Sequence, residues 1–147
     1  MGALAAGTAR QFKDLDGSIV TEHEVEAGEV IYQGGLVMLD DTGFALPGAA
    51  TAGQNCIGWA DESVTNVGGA DGAITVRVRS GCAGLMAASS VTRSMIGDGV
   101  MMELVDDNTV DDSAANDVKV GPIVGPYVST TKCWVWIPRY GAIAAGL

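Results

Sequence analysis

The side chains able to do chemistry in this sequence are 18 Asp and Glu, one His and three Cys, and some of the carboxylates come in adjacent pairs. Asp40-Asp41, Asp106-Asp107 and Asp111-Asp112 could ligate calcium or act as acid and base. Calcium loops need several oxygens converging at alternate positions, as in D-x-D-x-D-G, and none of the pairs supplies that pattern. Glycoside hydrolysis needs two carboxyl groups roughly 5–10 Å apart across a cleft, which adjacency in sequence does not provide. Asp is itself a preferred turn residue because it hydrogen-bonds its own backbone two positions on. The pairs are therefore read as turns, with no catalytic residue and no metal ligand assigned.

His23 is the sole histidine and lies in the polar stretch Thr21-Glu22-His23-Glu24, with no nucleophile elbow in the chain. It reads as a surface residue. Cys56, Cys82 and Cys133 match neither zinc nor redox spacing and read as small, reduced, buried apolar residues. One histidine with separated cysteines fits no ordinary zinc set, so no cofactor is expected. Trp59, Trp134 and Trp136 leave three readings open: a stacking platform for sugars, core, or an interface. If Val135 and Ile137 join the core, period two turns Trp134 and Trp136 outward together.

The elements that would position these residues are β-strands. Of 147 residues, 48% are hydrophobic but only 5% aromatic, and 21 are glycine, a balance suited to many tight turns. Val76 and Val78 alternate with Thr75, Arg77 and Arg79, a half-buried strand that Gly81 is expected to end. Gly68-Gly69-Ala70-Asp71-Gly72 marks a hairpin loop. Thr92 to Ile96 predicts one short helix, with Thr92 as N-cap and Gly97 as stop. The Gly-Pro pairs at 121/122 and 125/126 require an edge or bulged strand. The fold class is all-β, a compact sandwich or small barrel.

The stretch from Gly34 to Ile137 runs one programme twice. Gly35-Leu36-Val37-Met38-Leu39-Asp40-Asp41 and Gly99-Val100-Met101-Met102-Glu103-Leu104-Val105-Asp106-Asp107 share a glycine entry, an apolar run and an Asp-Asp turn. Asp40 and Asp106 are 66 positions apart, and the same offset carries Ile57 onto Ile123. Residues 1–17 form an extended arm with few large apolar groups (Leu4, Phe12, Leu15) beside Arg10, and such a segment needs a surface to hold it, most simply a neighbouring subunit. Residues 18–140 form the β domain, and 141–147 an apolar tail containing Ile143 and Leu147.

A net charge of −10 opposes binding to nucleic acid and to anionic membranes. No apolar stretch approaches the ~18 residues that would span a bilayer. The opening Met1-Gly2-Ala3-Leu4-Ala5-Ala6-Gly7 lacks the basic and apolar regions of a secretory signal, which points to synthesis in a reducing cytoplasm.

From about Glu26 to Ile137 the chain resembles the head decoration, or cement, proteins of tailed bacteriophages. The residues that carry the resemblance are Gly28, Ile31-Tyr32, Gly35-Leu36-Val37 and Ile57-Gly58-Trp59-Ala60, then Gly69-Ala70-Asp71-Gly72-Ala73-Ile74-Thr75-Val76-Arg77-Val78-Arg79-Ser80-Gly81, Val105-Asp106-Asp107-Asn108-Thr109-Val110 and Trp134-Val135-Trp136-Ile137. The resemblance implies a non-enzymatic virion protein on the outer surface of an icosahedral capsid, bound to the major capsid protein, often as a homotrimer. The expected contact residues are Leu4, Arg10, Phe12, Leu15, Trp134, Trp136, Tyr140, Ile143 and Leu147. The rival readings are a carbohydrate-binding β-module using Trp134 and Trp136, and a tail or fibre component.

Overall fold

The structure is a computed structural model that describes residues 2–51, 54–113, 115, 118–141 and 146, without the side chains of Leu15 and Asp16. In chain order the elements are β1 (Phe12–Glu24), β2 (Val30–Ile31), β3 (Leu36–Leu39), β4 (Ala45–Pro47), β5 (Asn55–Ala60), β6 (Val64–Thr65) and β7 (Thr75–Ala88). They continue with α1 (Arg93–Asp98), β8 (Met101–Leu104), β9 (Thr109–Asp111), β10 (Lys119–Ser129) and β11 (Lys132–Ile137). The all-β expectation holds, with one short α-helix among the described residues.

The doubled programme is present in the ladder itself. In the first half the neighbours run β4-β3-β5-β7, and in the second β9-β8-β10-β11. The two halves differ at the last connection. β5 reaches β7 through β6 and the glycine loop, whereas Thr130 and Thr131 alone turn β10 into β11.

β7 belongs to two closed rings. Toward its C-terminal end it pairs with β11 on one edge and, in parallel, with β9 on the other, so β7-β11-β10-β8-β9 closes into a small barrel. Toward its N-terminal end it pairs with β5 and β1, and a bridge from Ala45 of β4 to Val25, just past β1, closes the second ring. Each ring has its own apolar filling. The smaller holds Val25, Ile31, Val37, Ala45, Ile57, Ala60, Val76 and Val78. The larger is built on Met86, Met102, Leu104, Ile123, Val135 and Ile137. β3 and β5 feed both, with Leu36, Met38, Cys56 and Trp59 facing the larger core and Val37 and Ile57 the smaller. Strands buried on both faces cannot alternate, which is why these two read as continuous apolar runs.

Gly81 does not end its strand. It takes a left-handed φ of 80° opposite the irregularity in β1 between Asp14 and Ile19, where Gly17 also has φ 82°, and the ladder continues to Ala88. Glycine here bends the strand where both ladders are interrupted: β1 shifts register, and the other edge passes from β5 at Arg79 to β11 at Cys82. The helix stop likewise moves. α1 follows Thr92 as expected but runs through Gly97 and ends on Gly99, whose φ of 62° is the left-handed C-cap conformation. β10 is the bulged strand that its prolines require, not an edge. Its register shifts after Lys119 and again between Val124 and Ser129, and Pro126 sits in that second, unpaired interval.

Candidate interaction surface

The turn reading of the Asp pairs holds at the atomic level. Asp40 Oδ1 accepts the N–H of Thr42 at 2.9 Å and of Phe44 at 3.0 Å. Asp106 Oδ1 accepts the N–H groups of Asn108 and Thr109, both at 2.8 Å, and Asp111 Oδ1 that of Ser113 at 3.0 Å. The first Asp of each pair thus ties its own turn, and the Thr42 hydroxyl, donating to Asp40 Oδ1 at 2.7 Å, does most to hold the Asp40 carboxyl below its ordinary pKa, the backbone bonds adding to it. Among the described residues no group of three or more His, Cys, Asp or Glu is placed to hold a metal.

His23 departs from its surface reading. It is half-buried on β1, its Nε2 lies 2.7 Å from Thr21 Oγ1, and burial holds the imidazole below its ordinary pKa. The three cysteines are buried as expected, and burial pushes the Cys56 and Cys133 thiols up to about 12.

The arm is where the structure most changes the expectation. Residues 2–11 are outside any strand, but β1 begins at Phe12 and runs through residue 17. The surface that holds the arm is this chain's own. Leu4 N–H donates to Asp107 Oδ1 at 2.8 Å, Asn108 Nδ2 to the Gly2 carbonyl at 3.2 Å, and Thr8 N–H to the Gln33 carbonyl at 2.8 Å. Arg10 is the main fastening. Its Nε donates to Gly34 O at 2.8 Å, Nη1 to Leu85 O at 2.6 Å, and Nη2 to Gly34 O and, at 3.5 Å, to Asn108 Oδ1. One guanidinium thereby links the turn before β3, the middle of β7 and the β8–β9 turn. Burial lowers its pKa to about 10, partly offset by attraction to Asp107. An arm with few apolar groups is ordered because charge-assisted hydrogen bonds replace hydrophobic anchoring.

Of the expected contact residues, Leu4 is half-buried against the body and Phe12 is 42% exposed. The Phe12 ring lies 5.9 Å from that of Trp59, with the Arg79 guanidinium 4.8 Å from its centroid. Trp59 itself is 2% exposed and belongs to the core, so it joins no surface platform. Val135 and Ile137 are fully buried, and Trp134 and Trp136 occupy the opposite face, both half-buried. Lys13 Nζ sits 4.5 Å over the Trp134 ring. Register puts Lys13 in line with Ala83 and Trp136, so Trp134, two residues along β11 on the same face, is its diagonal neighbour. Arg10 and Leu4 are therefore intramolecular fasteners, whereas Phe12, Lys13, Trp134 and Trp136 gather around the junction of β1, β7 and β11. Tyr140 stands apart at 62% exposure, its N–H donating to Ser80 Oγ at 3.2 Å. Leu15's side chain, Ile143 and Leu147 lie outside the described residues.

Sequence reasoning missed Asp107 and Asn108 as anchors of the arm. Only their place in the second copy of the Asp-Asp turn marked them, and the first copy, Asp41-Thr42, has no such role among the described bonds. No protein-family model, curated protein or solved structure matches this chain.

Proposed function

We propose that this chain is a structural virion protein that decorates the outside of a tailed-phage head and braces contacts between major capsid protein subunits. The observation that carries the reading is the doubled scaffold, two apolar-filled rings fused along the single strand β7. Such a body resists deformation and presents Phe12, Trp134, Trp136 and Tyr140 at fixed spacings. Repetition on a lattice turns modest contacts into strong retention, because linked sites act at high effective concentration. The strand and turn motifs that resemble those of head decoration proteins point the same way. A sugar platform needs open ring faces, and the Trp134 ring carries Lys13 over it.

The test is electron microscopy of heads purified with and without this chain. Regularly spaced density outside the shell, present only with the chain, is the expected result. Identical outer surfaces, or a chain that stays in the supernatant when heads are pelleted, would defeat the reading. Light scattering on the purified chain and on the bound state tests the trimer.

A further inference from the structure

Where the arm parts from β7 the two leave a cleft of about 260 Å³. Its walls include Arg10 and Gln11 of the arm, Leu85 and Ala87 of β7, Asn108 from the β8–β9 turn, and Lys132 at the start of β11. The ladder explains the opening. The Gln11 carbonyl still accepts the Leu85 N–H at 3.0 Å, whereas Ala87 pairs with Thr109 of β9. This edge of β7 changes partner between those residues, and the change leaves a gap.

Two of the eight Lys and Arg residues in an otherwise acidic chain line this gap. All the acceptors on the Arg10 guanidinium are neutral: the Gly34 and Leu85 carbonyls and the Asn108 amide oxygen. The ion pairs among the described residues are Arg77–Glu62 and Arg79–Asp61, so no carboxylate sits at contact distance from Arg10. Asp107 acts on it only through space, and burial depresses its pKa. Arg10 is partly buried, and a partly buried cation without an ionic partner is costly, a cost that a carboxylate arriving beside it relieves. One of the two Nη1 hydrogens has no acceptor among the described residues, since Nη1 makes a single bond. Lys132 is exposed at the rim and has no described ion pair.

We propose that this cleft is a docking pocket for a carboxylate carried on an extended segment of another protein, an Asp or Glu side chain that enters between Arg10 and Lys132. The cleft is smaller than the ~300 Å³ at which small-molecule pockets usually begin, and it suits one acidic side chain. The arm gives Thr8, Ala9, Arg10 and Gln11 to its rim, and none of these belongs to a strand. The pocket is a property of the isolated chain and stands whether or not the partner is a capsid.

The experiment is an NMR titration of the full-length chain with acetyl-Gly-Glu-Gly-amide, the matching Gln peptide, and acetate. The Glu peptide is expected to shift the Arg10 side-chain N–H and the Gln11 and Asn108 amides saturably. The Gln peptide should bind at least about tenfold more weakly, and Lys132→Gln should weaken the Glu peptide by about tenfold at unchanged Tm. Lys132 carries the test because it is exposed, whereas Arg10 also fastens the arm. Equal binding of the two peptides, an unaffected Lys132→Gln, or no saturable shift overturns the pocket. Acetate binding as tightly as the Glu peptide overturns the protein segment and leaves a free small-anion site.

Discussion

The backbone N–H of Leu4 donates to Oδ1 of Asp107 at 2.8 Å, a bond between residues 103 positions apart. It pins the start of the chain to the β8–β9 turn and uses the carboxyl of a residue that is only 5% exposed. Burial raises the Asp107 pKa above its ordinary value, Asp106 adds to the rise, and the Leu4 bond and Arg10 oppose it.

The sign of the pH dependence follows. With its folded-state pKa raised, Asp107 contributes stability that is present at pH below its unfolded value and lost as pH rises through the folded value. Asp107→Asn keeps an oxygen acceptor for Leu4 and removes the buried charge, at the expense of the weaker attraction to Arg10. Urea unfolding is expected to show this variant equal to or more stable than the parent at pH 7 and relatively less so at pH 3.5. Asp107→Ala removes the acceptor as well and is expected to cost about 1 kcal/mol. A larger loss for Asn than for Ala at pH 7 would contradict the assignment.

What the sequence disclosed and what it hid divide by distance along the chain. Asp40 and Asp106 were legible as turn formers because their bonds span two to four residues, and Val76 and Val78 because alternation is local. The repeat itself was legible, but the pairing order of its two halves was not, because strand order is set by contacts between distant segments. The extent of β7 was hidden, since Gly81 carries the signature of a breaker and only the pairings with β1 and β11 that resume at Cys82 carry the strand on. The arm's fastening was hidden for the same reason. No local pattern announces that Arg10 will meet Leu85 or that Asp107 will meet Leu4. Composition correctly marked the arm as poor in apolar anchors, but long-range hydrogen bonds to main-chain carbonyls leave no trace in composition.

Two glycines should respond to alanine with opposite signs. Gly58 in β5 has φ 149°, and a Cβ there would collide with the Arg79 carbonyl of β7, beside the Trp59–Arg79 pairing. Backbone cannot swing aside as a side chain can. Gly58→Ala is expected to cost about 3 kcal/mol or more in chemical denaturation, in the range of severe core or backbone changes. Gly97 lies within α1 with nothing within 4 Å of its Cβ position. Gly97→Ala is therefore expected to stabilise the chain by roughly 0.5–1 kcal/mol.

The thiols provide a probe of global opening. Cys56, Cys82 and Cys133 are all buried, and burial pushes the thiols of Cys56 and Cys133 up to about 12. Little reactive thiolate exists at pH 8, and the reagent has no path to it. A thiol reagent at that pH should label the native chain no faster than the chain unfolds, and label three sites per chain at once in denaturant. A fast phase without denaturant would show that at least one of these strands opens locally.

Truncation of the arm separates its role in folding from its role in binding. A cut after residue 17 would remove Arg10, the Phe12–Trp59 contact and the first part of β1, so the loss of any function could follow from damage to the barrel. A cut after Gly7 removes the Leu4–Asp107 and Asn108–Gly2 bonds while keeping Thr8 on Gln33 and Arg10 on Gly34 and Leu85. At about 1 kcal/mol for each bond lost, that variant should stay folded with a modestly lower urea midpoint and an unchanged m-value. If the arm serves the proposed head contact, the variant should wash off heads at salt concentrations that leave the full chain bound. Equal retention of the two would confine residues 2–7 to an intramolecular role and move the contact to Phe12, Trp134 and Trp136.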